Sequence, residues 1–166
     1  MKKTILPFAF LLLVLAAQTT LACSCANWEE ADLTVMGKLP FDGKSYIESY
    51  EKSGAIFVGQ VVKIKRVKFP AKDYNWYNRE VTLSVSKSWT GANSNKIVVY
   101  TNKSGASCGY DFVKGESYVV FASKEPQSLI AETYGDKLSV GLCSYTTPLN
   151  QAENILKGLG EAKVSF

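Results

Sequence analysis

Ala55-Ile-Phe-Val-Gly-Gln-Val-Val-Lys-Ile-Lys-Arg-Val-Lys-Phe69 is a long run rich in β-branched residues, and Pro70 stops it. Branching at Cβ restricts χ1 and suits a pleated surface, while a proline cannot donate to a strand ladder. The run therefore predicts a long strand. Arg79 to Trp89 follows with strict alternation: Val81, Leu83, Val85 and Trp89 on one face, and Thr82, Ser84, Ser86 and Ser88 on the other. Thr90-Gly91-Ala92-Asn93 reads as a turn, and Lys96–Tyr100 and Tyr118–Ala122 read as short strands. Leu129-Ile130-Ala131 and Leu138-Ser139-Val140, joined across Tyr134-Gly135-Asp136, predict a hairpin. Five or six short strands separated by turns imply a mainly β barrel or sandwich.

Helices bracket the predicted sheet. Lys44 to Lys52 puts Tyr46, Ile47 and Tyr50 on one helical face. Asn150 to Leu159, just after Pro148, spaces Ala152, Ile155, Leu156 and Leu159 at helical intervals. Both stripes are most simply core. Residues 29–43, with Gly37, Pro40 and Gly43, read as an irregular surface excursion. The chain shows no internal repeat and no low-complexity segment.

The start of the chain has a different character. Met1-Lys2-Lys3 is a small basic head, Ile5 to Ala17 is almost wholly apolar, and Thr20-Leu21-Ala22 offers small residues just before Cys23. That is the pattern of a secretory signal peptide over residues 1–22. The apolar run is too short to span a membrane, which takes ~20 residues. Removing 22 of 166 residues leaves 144, one domain over 23–166, with Cys23 as its first residue. The cut also removes Lys2 and Lys3 and no acid, so the formal net charge falls from +4 to +2. That is too mild to argue for nucleic acid, and no later segment is apolar enough to cross a membrane. The expected product is a secreted or periplasmic monomer.

Export gives the four cysteines a meaning, because thiols in an oxidising compartment pair. Four cysteines allow three connectivities. Cys23 and Cys25 do not suit a bond to each other, since one intervening residue makes a strained ring. The other two pairings tie the Leu21-Ala22-Cys23-Ser24-Cys25 stub to Cys108 and Cys143, in either order. Each bridge closes a loop of roughly a hundred residues, worth on the order of 4 kcal/mol in the chain-entropy model. Structural zinc sites favour CxxC knuckles, which this chain lacks.

The absences are as informative. There is no histidine, which removes HExxH zinc sites, Ser-His-Asp and Cys-His machinery and the usual general base near neutral pH. The acidic residues sit mostly at turns or strand ends, and there is no phosphate-binding glycine loop; Ser104-Gly105-Ala106-Ser107 fits a turn. The expectation is a protein that is not an enzyme and calls for no cofactor. Two surface features remain. Lys63, Lys65, Arg66 and Lys68 form a basic run, with Lys63 and Lys65 expected on the face of Val61. It reads as a solvated strand end that resists edge pairing, or as a stripe for an extracellular polyanion. Tyr74, Trp76 and Tyr77 form an aromatic cluster in a predicted loop after Pro70.

Taken together, these pieces resemble a known family. Cys23-Ser24-Cys25 resembles the Cys-x-Cys start of the tissue inhibitors of metalloproteinases and the wider netrin-like domain family. Phe57-Val58-Gly59 resembles their first-strand "FVG". Cys108-Gly109-Tyr110 with Tyr118–Ala122 resembles the central Cys-Gly-Tyr and "YLVxA" region, and Leu142-Cys143-Ser144-Tyr145 with Pro148-Leu149 resembles "TCSFxxPW". The pieces occur in the family's order across most of residues 23–166. With four cysteines the chain lacks the third bridge of the eukaryotic inhibitors, and residues 26–44 lack their proline-rich stretch.

The resemblance implies a five-stranded barrel of the oligonucleotide/oligosaccharide-binding (OB) type with flanking helices, stapled by Cys23–Cys108 and Cys25–Cys143. It also implies a mechanism, inhibition of a zinc metalloprotease. The Cys23 amine and carbonyl oxygen would chelate the zinc of the target protease, Ser24 would enter the adjoining pocket, and Cys25, Ala106 and Ser107 would complete the ridge. Two alternatives start from the same residues. A netrin-like module without inhibitory activity would bind through the sheet, the basic strand or the aromatic loop. A lipid on Cys23 would make a surface lipoprotein, although Thr20 stands where a lipobox wants Leu.

Overall fold

The computed structural model describes residues 54–70, 75–124 and 137–166, together with Lys44, Ile47, Glu48, Tyr50 and Glu51. Six strands run along it: β1 (Gly54–Pro70), β2 (Asn75–Thr90), β3 (Lys96–Thr101), β4 (Ser117–Ser123), β5 (Thr147–Pro148) and β6 (Val164–Ser165). One α-helix, α1 (Glu153–Leu159), follows the 3-10 turn Leu149–Gln151, and a second 3-10 turn occupies Gly105–Ser107. The strands form one antiparallel sheet in the order β3-β2-β1-β4-β5, with β6 paired to β2. The protein is mainly β, as the periodicity predicts. The strands themselves do not close into a ring.

β1 is the hub of the sheet. Over Gly54–Gln60 it is bonded to β4, and from Ile56 to Pro70 it is bonded to β2. With ladder bonds on both edges, its first half can bury both faces, and the sequence supplies apolar residues at consecutive positions to do so. Ala55, Phe57 and Val61 enter one core with Val81, Leu83, Val85, Val99, Tyr118, Val120 and Ala122. Ile56 and Val58 enter a second core with Val119, Phe121, Trp89, Ala152 and Leu159. The second core is roofed by α1, whose Ile155 and Leu156 pack on it, and by Ile47 and Tyr50 of the helical residues near position 47. Tyr50 meets Phe121 edge-on at 5.8 Å. The C-terminal stripe therefore packs as predicted, although its first turn is 3-10 and the α-helix begins only at Glu153. Of the N-terminal stripe, Tyr46 lies outside the described residues.

Bulges break the simple alternation. Opposite β1, the register passes over Trp89 and Ser86 on β2, and opposite β2 it passes over Val62 on β1. Each extra residue switches the faces beyond it. The shift at Ser86 corrects one expectation. Trp89 lies in the helix-side core, away from Val81, Leu83 and Val85, and donates its indole N–H to Gly160 O at 3.0 Å. Ser88, expected on the polar face, is buried opposite Phe57. The Val62 bulge corrects another. Val61 and Ile64 both face the first core, so Lys63 and Lys65 lie on the opposite face from Val61.

Two further differences concern the loops. Residues 75–77 belong to β2, where Tyr77 and Trp76 stand opposite Lys68 and Phe69, so these two are not in a loop. Tyr74 lies outside the described residues. The predicted hairpin at 129–140 falls partly outside them too. Its described arm pairs elsewhere: Ser139 forms a parallel bridge with Tyr100 of β3 and an antiparallel bridge with Ser123 of β4.

The face assignments make a direct stability contrast. Leu83 is fully buried and Val98, on the other face of the same sheet region, is 38% exposed. Leu83→Ala should lower unfolding free energy by about 2–5 kcal/mol, whereas Val98→Ala should change it by under about 1 kcal/mol. Urea unfolding with a common m-value is the measurement, and equal losses would place Val98 in the core.

Candidate functional site

Of the ridge the resemblance implies, Ala106 and Ser107 lie next to Cys108 among the described residues, and the fold explains why this loop has a definite shape. Ser104 to Gly109 turns back on itself through backbone bonds: Ser107 N–H and Gly109 N–H both donate to Ser104 O, at 3.0 and 2.8 Å, and Cys108 N–H donates to Gly105 O at 2.9 Å. The Ser107 hydroxyl accepts from Ser104 N–H at 3.1 Å and donates to Ser104 O at 2.9 Å. Asn102, buried at the end of β3, donates its side-chain amide to Ser107 O. The chain comes so close here that a Cβ at Gly109 would sit 2.3 Å from Asn102 O, which only glycine permits. Cys108 itself adopts a left-handed conformation, φ 60°. Within this frame Ala106 is exposed and Ser107 half-buried.

Arg79 anchors the loop from below. Its guanidinium donates to Tyr110 O at 2.8 Å and Asn102 O at 3.4 Å, and pairs with the Asp111 carboxylate at 2.7 Å. One planar fork thus ties both ends of the loop to β2, a role the compact charge of a lysine does not fill. Thr101 Oγ1 adds a 2.7 Å bond from Tyr110 N–H. Tyr110, Phe112 and Tyr118 then stack as an aromatic plug, with ring centres 4.7–5.8 Å apart. Burial pushes the Tyr110 phenol far above its ordinary range, helped by Tyr118 and Glu116 nearby, so it stays neutral at any physiological pH. Tyr118 is pushed up as well, again chiefly by burial, and its hydroxyl bonds Glu116 and accepts Val113 N–H. These phenols are structural.

The second candidate cysteine lies beside this loop. Gly109 and Gly141 form an antiparallel bridge, and Leu142 N–H donates to Cys108 O at 2.9 Å. Cys108 and Cys143 are therefore on adjoining backbone, and each is disulfide-bonded. Cys23, Ser24 and Cys25, the other candidate residues, lie outside the described residues, as do their pairings. The fold brings Ala106, Ser107, Cys108 and Cys143 to one end of the sheet. Spacing alone did not reveal Arg79, Asn102, Gly109 or Asp111 as supports of that end. The composition of Ser104-Gly105-Ala106-Ser107 marked a turn, but no local signal tells a strand-start arginine which loop it will grip.

Among the described residues, no three His, Cys, Asp or Glu side chains gather as a metal site, and no helix is long and apolar enough to cross a membrane. No protein-family model matches the chain, and no curated protein matches it.

The Arg79 fork can be tested directly. Arg79→Gln should cost about 1.5–3 kcal/mol, the range for hydrogen bonds to a charged group, and Arg79→Lys should recover little of it. Amide exchange read by mass spectrometry or NMR should speed up at Ser107, Cys108 and Gly109 while Val119 and Val120 keep their protection. Uniform loss of protection would mean that Arg79 supports the whole sheet and not this loop.

Proposed function

We propose that the chain is an exported inhibitor of zinc metalloendopeptidases, acting through an N-terminal Cys23 held beside the Ser104–Cys108 loop. One observation carries the reading. Cys108 and Cys143 stand on adjoining backbone, each in a disulfide, next to the exposed Ala106. Cys23 and Cys25 are two residues apart, about 7 Å in extended chain, a separation suited to two neighbouring anchor points. Pairing Cys23 with Cys108 and Cys25 with Cys143 would lay Cys23-Ser24-Cys25 alongside Ala106 and Ser107 as one ridge.

The sheet supports an OB-like barrel in the same way. Leu138–Val140 bonds to β3 on one side, through Tyr100 N–H to Leu138 O and Val140 N–H to Tyr100 O, at 2.8 and 2.9 Å. On the other side Ser139 exchanges both backbone bonds with Ser123 of β4, at 2.8 and 2.9 Å. Bridged to both sides of the sheet, that segment supports a barrel in which it would serve as the fifth strand.

The chemistry follows from the stub. A freed α-amine has a pKa near 8 and loses its proton readily beside a metal. The amine and carbonyl of Cys23 then form a chelate on the target's zinc, in the place of its water. Ser24 enters the neighbouring pocket, and Ala106 and Ser107 flank it. Because the loop is bonded at every turn, little ordering entropy is lost on docking. The inhibitor needs no cofactor and has no catalytic step of its own.

Intact mass of the exported protein should show a chain starting at Cys23 with two disulfides and no acyl group; a diacylglycerol adduct would instead establish a lipoprotein. Against a panel of zinc endopeptidases, adding one alanine before Cys23 or carbamylating its amine should abolish inhibition with the disulfides intact. Ser24→Gly should change which proteases respond. Undiminished inhibition by the extended protein would sink the chelate mechanism. A panel with no response to the native protein would favour the netrin-like binding module.

A further inference from the structure

The helix roof covers the outer face of the sheet only as far as Val58; beyond it, that face is a lattice of polar and basic side chains. Three rows cross β1, β2 and β3 there: Gln60–Ser84–Lys96, Lys63–Thr82–Val98 and Lys65–Glu80–Tyr100. The intervening rows, Val61–Leu83–Ile97 and Ile64–Val81–Val99, point into the first core, which fixes the orientation of these three. Lys137 joins them with its ammonium 5.3 Å over the Tyr100 ring. Lys63, Lys65, Lys96 and Lys137 are all exposed. Among the described residues the face thus carries four lysines against one carboxylate, on a chain whose whole formal net charge is +4.

That carboxylate is already engaged. Glu80 pairs with Lys65 at 3.2 Å and accepts from Tyr100 Oη at 3.1 Å. Lys63 and Lys96 make no ion pair among the described residues. Neighbouring strands lie about 4.8 Å apart and same-face residues about 6.7 Å apart along a strand, so the ammonium groups can follow a chain with regularly repeated negative groups. Between them Gln60, Thr82 and Ser84 offer hydrogen-bonding side chains.

We propose that this face, the outer surface of β1, β2 and β3, is a binding site for a linear anionic polysaccharide. The proposal does not depend on the inhibitor reading. Single-stranded nucleic acid would want aromatic platforms for its bases, and the aromatic ring in these rows, Tyr100, is half-buried and covered by Lys137. An anionic membrane would want large apolar side chains to insert, and the rows supply only Val98. Lysines, as mobile point charges without a bidentate fork, suit a flexible repeating polyanion.

The probe is a size-defined heparin oligosaccharide, titrated into the full mature protein over a range of salt. The affinity should fall with log salt with a slope of about three, close to one unit per engaged lysine. Lys63→Gln with Lys96→Gln should weaken binding at least tenfold and lower the slope by about two. Lys157→Gln with Lys163→Gln removes the same charge near α1 and should change binding by less than twofold. Thermal unfolding of each variant keeps loss of fold apart from loss of binding. The proposal is overturned if the control pair loses as much as the face pair. It is also overturned if heparin does not bind at low salt, or if oligo-dT or phosphatidylglycerol vesicles bind as tightly with the same dependence on Lys63 and Lys96.

Discussion

A strand that is bonded along both edges can bury both faces where each finds cover, and β1 does so over Gly54–Gly59. Its two edges go to β2 and β4, and its side chains divide between two cores. Everything else is arranged around that division. β4 alternates in step, sending Tyr118, Val120 and Ala122 one way and Val119 and Phe121 the other. α1 is needed because the second face would otherwise be wet. Thr146 pins the connection by bonding both backbone groups of Phe121. Where β4 ends, the outer face loses its roof, and the residues there become Lys63 and Lys65 in place of Ile56 and Val58.

The bulges convert this two-sided strand into a bent one. A flat ladder would carry Trp89 into the same core as Val85, and the helix would have nothing broad to pack on. By inserting an extra residue at Ser86, β2 turns that indole over to the helix side, where it also satisfies Gly160 O. The Val62 bulge keeps Ile64 in the first core after the strand has bent. Bulges raise local twist and coil a sheet toward closure, and here the segment at Ser139 lies between its two sides.

Much of this was legible in the sequence, and the remainder fails for identifiable reasons. β1, β2, β3 and β4 could be read because their apolar content is β-branched or alternating and each ends at a turn residue. The C-terminal stripe could be read because Ala152, Ile155, Leu156 and Leu159 recur at helical spacing. The faces of Trp89, Ser88, Lys63 and Lys65 could not, because a bulge is a property of two strands in register and leaves no mark on either alone. β5 and β6 are two residues each, too short for any period. The residues of the candidate ridge were named by the family resemblance. Their supports were not, since Arg79 and Asp111 meet across 32 positions of chain.

The two proposed surfaces use opposite sides of the same strands. Arg79 and Thr101 occupy the row beyond Val81 and Val99, on the inner side, and there they hold the loop that carries Ala106. Glu80 and Tyr100, one residue away on each strand, point to the outer side and meet Lys65 and Lys137. A polyanion lying on the lysines would therefore contact side chains that alternate with the loop's anchors and share none of them. A partner seated on the ridge would leave the lysine face open for the same reason. Alternation along a strand, which first buries two cores on either side of β1, here separates the two proposed surfaces, so a ligand at one would leave the contacts of the other intact.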